Sequence, residues 1–281
     1  MKKDLKTALK GILSSKEIAL VCKSFDIIGD IVVIRVPEQL LPHSKKIAEV
    51  LMTQHKHVKA VWRQSGPVHG EFRLRKLEWV AGERKTKTIY KEYGCVFKVD
   101  IKDCYFSPRL GFERMRIAKQ VKEDEVVVNM FAGVGSYSIT IAKHSRASKI
   151  YSIDINPIAV RYLRENILLN KAVNRVFPIE GEAKAIVEGM LSETADRVIM
   201  PLPEKAHSFL NSAILTAKPQ GSWIHYYDFE YARKKENPVE KVKAKITKKL
   251  HKQSINFTIP FGRIVRQTGP NWYQIAIDVQ L

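Results

Sequence analysis

A doubly wound α/β domain preceded by a smaller α+β part is the fold this sequence predicts, on three observations. Val126-Val-Val128 is a short β-branched run, as expected of a strand buried on both faces. Phe131-Ala-Gly-Val-Gly135 then turns sharply, and Ser136–Ala142 opens a helix. Lys149–Asp154 reads as a second strand, ending in an acid 19 residues after Gly135. Strand, glycine turn and helix bring backbone N–H groups and a helix N-terminus to one point at the carboxyl edge of a sheet.

In chain order, residues 1–16 read as an amphipathic helical lead-in. Ile18–Ser24 and Ile27–Val36 read as strands, with Gly29-Asp30 as a two-residue hairpin signal. Pro42–His55 carries Ile47, Val50 and Leu51 at helical spacing. Val58–Arg63 and Phe72–Trp79 alternate as half-buried strands do, and Thr86–Glu92 pairs with Cys95–Val99 through Tyr93-Gly94. This α+β part, residues 17–107, is thus built from local hairpins. Ser107 and Pro108 signal the start of a helix to Gln120 that leads into the α/β domain, residues 108–281. That domain continues as helix Pro157–Asn170, strand Val176–Glu180, helix Ala183–Met190, strand Arg197–Met200, helix Ala206–Ala217 and strand Ser222–Asp228. Asn237-Pro238 caps a basic helix to Gln253, with Val239, Val242, Ile246 and Leu250 as one apolar stripe. Strands Ile264–Thr268 and Trp272–Val279 close the sheet.

Forty-eight Lys and Arg against 29 Asp and Glu leave a net charge of +19, which points to a polyanionic partner, nucleic acid ahead of an anionic membrane. Three cysteines without C-x-x-C spacing argue against a disulfide framework or zinc site and fit a reducing cytosol, so no metal is expected. The charged start has no apolar run of signal-peptide length and no stretch approaches a membrane span. A soluble, cytoplasmic protein is expected.

The glycine turn is not the G-x-G-x-x-G of dinucleotide proteins, because Gly133-Val-Gly135 is followed by Ser-Tyr-Ser. Such a turn suits a cofactor without a pyrophosphate, and a carboxylate at Asp154 can accept both hydroxyls of a ribose. The alternative is a glycine turn and an Asp N-cap with no ligand. S-adenosylmethionine is the cofactor most compatible with the pattern.

Several stretches resemble one family: FDIIGDIVVIRV, GEFRLRKLEWVAGE, YKEYGCVFKVD, YFSPRLGFERMRIA, VVVNMFAGVGSYSI, SIDINPIAVRYLRENILLN, DRVIMPLPEKAHSFL and WIHYYDFE. Over residues 24–281 they are similar to the archaeal and eukaryotic-type tRNA (guanine-37 N1)-methyltransferases. A sister family is the wybutosine-pathway aminocarboxypropyl transferase. The chain departs from the family at Asn129, where Asp is usual, and at Pro201-Leu202-Pro203, where Asn-Leu-Pro or Asn-Pro-Pro is usual. The separate small N-terminal domain of many members is expected to be missing, because residues 1–16 are too few to form it.

The resemblance implies a Rossmann-like class I S-adenosylmethionine-dependent methyltransferase domain, a tRNA anticodon loop as partner and a monomeric enzyme. It places a general base at Glu113 and a cation at Arg73, and methylation of N1 needs both: a proton must leave while negative charge grows toward O6. On residues alone, Glu113 reads as readily as an ion-pair partner of Arg109 or Arg116. Tyr105 and Phe106 suit packing around an extruded base or, equally, core filling. Pro201 and Pro203 stiffen a loop whose carbonyls can face that base. Phe131, Ala132, Gly133, Val134, Gly135 and Arg109 are expected around the methionine part, with Asp154, Ile155 and Asn156 at the nucleoside. Glu182 is either an adenine contact or a helix N-terminal acid. His225 reads as a core histidine beside Tyr227. For RNA, Arg75, Arg84, Lys85 and Lys87 offer one phosphate-facing patch. Arg233, Lys234, Lys235 and the Lys241–Lys252 helix with Lys245 offer another, with Lys119 and Arg109 between the two; a solvated charge run is the alternative.

Overall fold

The computed structural model describes residues 4–281, so Met1–Lys3 of the expected lead-in lie outside the described residues. The chain divides into two compact units, Met1–Gly111 and Phe112–Leu281.

The first unit opens with two short helices, α1 (Leu5–Ala8) and α2 (Ser15–Leu20). Ile18–Leu20, expected in a strand, is helical instead. Ser14 accepts from Glu17 N at 3.3 Å while Glu17 accepts from Ser14 N at 2.7 Å, a reciprocal cap that outweighs the β-branched residue behind it. Strands β1 (Asp26–Ile28) and β2 (Ile31–Ile34) form the expected hairpin. Gly29 occupies the turn at φ +58, where a Cβ would lie 2.1 Å from Thr88 Oγ1. Helix α3 (Ser44–Gln54) then crosses to β3 (Ala60–His69), which pairs parallel to β2 and antiparallel to β4 (Leu74–Gly82). The unit is therefore not all local hairpins: a parallel neighbour needs a crossover, and α3 supplies it. Strands β5 (Lys87–Glu92) and β6 (Cys95–Asp100) make a separate ribbon, turned by Tyr93 and Gly94 at φ 45 and 71. Leu5, Leu9, Val32, Ile34, Leu51 and Val61 meet in its core.

The second unit is led by α4 (Gly111–Ala118), preceded by a 3₁₀ turn over Pro108–Leu110 without a side-chain cap at Ser107. Arg109 and Glu113 therefore do not share one α-helical face. Five strands run parallel: β7 (Val126–Asn129), β8 (Lys149–Asp154), β9 (Val176–Glu180), β10 (Arg197–Met200) and β11 (Trp223–Tyr231). Two antiparallel strands, β12 (Thr258–Gly269) and β13 (Trp272–Gln280), complete the sheet in the order β12-β13-β11-β10-β7-β8-β9. Helices α5 (Ser136–His144), α6 (Pro157–Leu169), α7 (Ala183–Ile186), α8 (Pro203–Thr216) and α9 (Pro238–His251) complete it. Alternation splits each strand between two cores: Val128, Val198 and Tyr226 enter one, Val127, Ile199 and Tyr227 the other. From β7 the chain moves out to β8 and β9, then returns to β10 on the other side, so β7/β10 is the topological switch point. Among the described residues no helix is long and apolar enough to cross a membrane.

Candidate active site

At the carboxyl end of β7 the chain is pinned to both neighbouring strands. Met130 N donates to Ile199 O at 3.0 Å and Ala132 N to Ile153 O at 2.8 Å. Gly133 and Gly135 both take positive φ, 55 and 90, and a Cβ on Gly135 would meet Leu163 Cδ1 at 2.4 Å. The turn is braced from below by Asn129, whose amide donates to Ser138 Oγ at 3.1 Å and whose carbonyl accepts from Phe131 N at 3.3 Å. Asn129 is fully buried, so a neutral amide avoids placing a carboxylate charge there.

Asp154 closes the crease from β8. Its Oδ2 accepts from Gly133 N at 2.6 Å and its Oδ1 from Asn156 N at 2.9 Å. Burial pushes its pKa up against these two backbone donors. A carboxylate has about four lone-pair positions, so each oxygen retains one for a ribose hydroxyl. Half-buried Phe131, Ile155, Glu182 and Pro201 follow the carboxyl ends of β7, β8, β9 and β10. Ala132, Val134 and Asn156 are buried; Asn156 caps α6 through Ile158 N and Ala159 N. Glu182 caps α7, accepting from Ala185 N at 2.9 Å, so the helix-acid reading is realised for one oxygen. Pro203 is the first residue of α8, and the Leu202 carbonyl accepts from Lys205 N at 3.1 Å, so that carbonyl is already engaged. The residues present fit a nucleoside cofactor without a pyrophosphate.

Glu113, on α4, has no solvent exposure. Its Oε1 accepts from Tyr227 OH at 2.8 Å and from Arg116 Nε at 2.8 Å, while Oε2 has no hydrogen-bond partner among the described residues. The ion pair expected as the bland alternative is therefore formed, with Arg116 rather than Arg109, and it leaves one oxygen bare. Arg116 also grips Asp278 at 2.6 and 3.0 Å. Asp278 in turn meets His225 Nδ1 at 2.7 Å, and His225 Nε2 faces Arg197 Nη1 at 2.8 Å. An Arg can only donate, so His225 is neutral with its proton on Nδ1. Burial depresses the pKa of His225 accordingly. Burial would raise Asp278, but His225 and Arg116 hold it well below the usual carboxylate range.

In the first unit, the Arg73 guanidinium lies 4.3 Å from the centre of the Tyr105 ring, and Arg73 itself sits at φ +55. A non-glycine residue in the left-handed region is a position the surroundings enforce. Phe106 is buried against Tyr90, so for it core filling is the observed role. One of the expected RNA contacts needs correction. Arg75 is buried, donating to Asp26 at 3.0 Å and to Phe106 O at 2.8 Å, because its guanidinium completes an internal ion pair. Arg109 donates to the same Asp26 at 2.6 Å, and Lys85 is paired with Asp30. In the second unit Lys245 is paired with Glu230, whereas Lys234 and Lys235 are exposed.

A family profile, the TRM5/TYW2 methyltransferase domain, matches residues 88–255, and a TYW2 N-terminal domain profile matches residues 5–86. This chain belongs to the TRM5/TYW2 family. It is 43% identical to the tRNA (guanine(37)-N(1))-methyltransferase Trm5b of Pyrococcus abyssi, over 92% of this chain and 74% of that one. It is 38% identical to the tRNA 4-demethylwyosine(37)-methyltransferase Taw21 of Saccharolobus solfataricus, over 98% of this chain and 99% of that one. A solved structure of Pyrococcus horikoshii TYW2 in complex with MeSAdo is also similar, with a TM-score of 0.79 and 27% identity, covering 100% of this chain and 98% of that one. In this TRM5/TYW2 protein, sequence reasoning left Tyr137, Tyr227 and Asp278 without a role. The tyrosine had a readable sign, a hydroxyl on a strand predicted to be buried, but its partner lies 114 positions away.

Proposed function

We propose that the protein methylates N1 of guanosine 37 in tRNA, with Glu113 as general base and Arg73 stabilising charge at O6. The observation that carries this reading is the buried Glu113 with its bare Oε2: an oxygen kept dry and unpartnered is an acceptor in want of a proton. S-adenosylmethionine is the cofactor, with Asp154 toward the ribose and the Phe131–Gly135 turn toward the methionine part. When bound it would supply an electrophilic methyl group, the bonding pair to that carbon remaining with the cofactor as a neutral thioether. Glu113 takes the N1 proton, the pair from that N–H bond makes the new bond to the methyl carbon, and the negative charge that builds meanwhile is shared through the ring with O6. Arg73, its guanidinium plane held against Tyr105, is a cation for that charge. The reading carries an anticodon-loop substrate, a monomer, no metal and a cytoplasmic setting.

The match to Taw21 over nearly the full length of both chains supports a second reading, methylation of 4-demethylwyosine at the same position. Both are tested by one experiment. Unmodified tRNA and tRNA carrying 4-demethylwyosine are incubated with cofactor labelled in the methyl or in the carboxyl carbon, then digested to nucleosides. Methyl label in 1-methylguanosine from the unmodified tRNA is expected. Label only in the tricyclic base establishes the second reading, and carboxyl label in RNA replaces both with aminocarboxypropyl transfer.

A further inference from the structure

A general base must be more than near its proton; one particular atom has to receive it, with lone pair free and orientation held. The surroundings of Glu113 distinguish its two oxygens. Oε1 is filled by Tyr227 OH at 2.8 Å and by Arg116, from Nε at 2.8 Å and Nη2 at 2.7 Å. Among the described residues Oε2 has no donor, and it has no water-exposed surface. Leaving a buried acceptor unmade costs stability, so such an atom is informative wherever it survives.

The donors are themselves fixed. Tyr227 is fully buried on β11, and its hydroxyl is hydrogen-bonded to Tyr137 of α5, the helix that opens directly after Gly135. Tyr227 has one hydroxyl proton and gives it to Glu113, so Tyr137 is the donor in the pair of tyrosines. Their rings pack edge to face, centroids 6.1 Å apart. Arg116 is anchored on its far side by Asp278, so its charge is largely offset and it serves as a brace.

We propose that Tyr227, backed by Tyr137, is a positioning residue that makes Oε2 of Glu113 the proton-accepting atom. This inference rests on the reading of Glu113 as base. By saturating Oε1, the hydroxyl leaves Oε2 as the oxygen with its lone pairs open. When Oε2 takes the N1 proton, Oε1 becomes the carbonyl oxygen of the acid and still accepts from the same donors. No hydrogen bond in the cluster has to break, which is the preorganisation that lowers a barrier without a reorganisation cost. Among the described residues, Arg116 from α4, Tyr137 from α5 and Tyr227 from β11 face Glu113, and Asp278 from β13 reaches it through Arg116.

The test is Tyr227→Phe, which removes one oxygen and keeps the ring, assayed by single-turnover methylation of tRNA. Loss of that donor leaves Oε1 less fully occupied and the carboxylate less firmly oriented, so the variant is expected to lose chemistry and not binding. The plateau rate is expected to fall about tenfold, with the dissociation constants for S-adenosylmethionine and tRNA unchanged. Tyr137→Phe, which keeps the direct donor, should lower the rate by less, and it serves as the readout if Tyr227→Phe fails to fold. A wild-type rate in the folded variants, or a fall matched by weaker binding of S-adenosylmethionine or tRNA, overturns the proposal. Glu113→Gln separates the two levels: if it is inactive while Tyr227→Phe is normal, only the positioning role falls. If Glu113→Gln runs at full rate, the base reading and this inference fall together.

Discussion

Two acids of the second unit sit against arginines, and they are finished differently. Glu125, just before β7, is held by Arg197 in a fork: Nε reaches Oε2 at 2.9 Å and Nη2 reaches Oε1 at 3.0 Å. Arg197 spends its remaining donors on Gln120 O and His225, so every charge in that pair is answered. Glu113 is more deeply buried, yet its arginine leans on one oxygen and leaves the other bare. A structural ion pair closes its hydrogen bonds, since a buried charge with an unmet valence destabilises the fold. An ion pair left open on one atom is a place where the fold tolerates that cost, and such places cluster at sites of chemistry.

The sharpest break of this contrast is a pair of isosteric changes. Glu113→Gln is expected to slow the single-turnover methyl transfer by roughly 10²–10⁴-fold while changing the melting temperature little, because a general base is lost while Arg116 keeps Asp278 as its counter-charge. Glu125→Gln is expected to do the reverse, removing about 3 kcal/mol of stability by denaturant titration and leaving the rate per folded molecule intact. If both variants lose stability and neither loses rate, the distinction between them is wrong.

Asp154 stands between the two extremes, with one donor on each oxygen and one lone pair left on each. Asp154→Ala should weaken S-adenosylmethionine binding by calorimetry about 10–100-fold, the scale of lost hydrogen bonds to a charged group. Unchanged affinity would mean that Asp154 only braces the turn.

Acid should strain the chain of contacts that joins the two pairs. His225 and Asp278 both have folded pKa values below their ordinary ones, so protons bind the unfolded chain more readily. Their contribution to stability is full above the unfolded histidine value of about 6.5, and is lost progressively as pH falls through it and then through about 4. Urea midpoints measured from pH 8 to 4 should decline in that window, with a shallower decline for Asp278→Asn. A flat profile would remove the pair from the acid response.

The smallest effect repeats the comparison at the surface. Lys234 and Lys235 are exposed, whereas Lys245 is tied to Glu230. Replacing the two exposed lysines by alanine should weaken tRNA binding a few-fold and lower the salt slope of the affinity by about 2. Lys245→Ala should change that slope less. Equal slopes for both would show that the pairing of Lys245 opens when RNA binds.

Much of the α/β domain was legible because its signals are local. Val126–Val128 is apolar on both faces, Gly133 and Gly135 are needed for positive φ, and Asp154 follows at strand-and-turn distance. The misreadings came where a local signal competed with another or where the partner was remote. Ile18–Leu20 looked like a strand by residue type, but the Ser14–Glu17 reciprocal cap made a helix of it. Arg75 looked like a phosphate ligand by charge, and became internal because Asp26, far off in sequence, is its neighbour in space.

Alone, the sequence determined the order of strands and helices in the α/β domain, the position of the glycine turn and the acid after it, and the chain's likeness to tRNA-modifying enzymes. Those depend on backbone preference and on side-chain periodicity, both written within a few residues. Tertiary structure alone decided which charges would be spent on each other and which atom would be left over. Hydrogen-bond satisfaction is settled between strands and helices brought together only by folding, and so the open oxygen of Glu113 depends on Tyr227 and on an Asp278 more than 160 positions downstream.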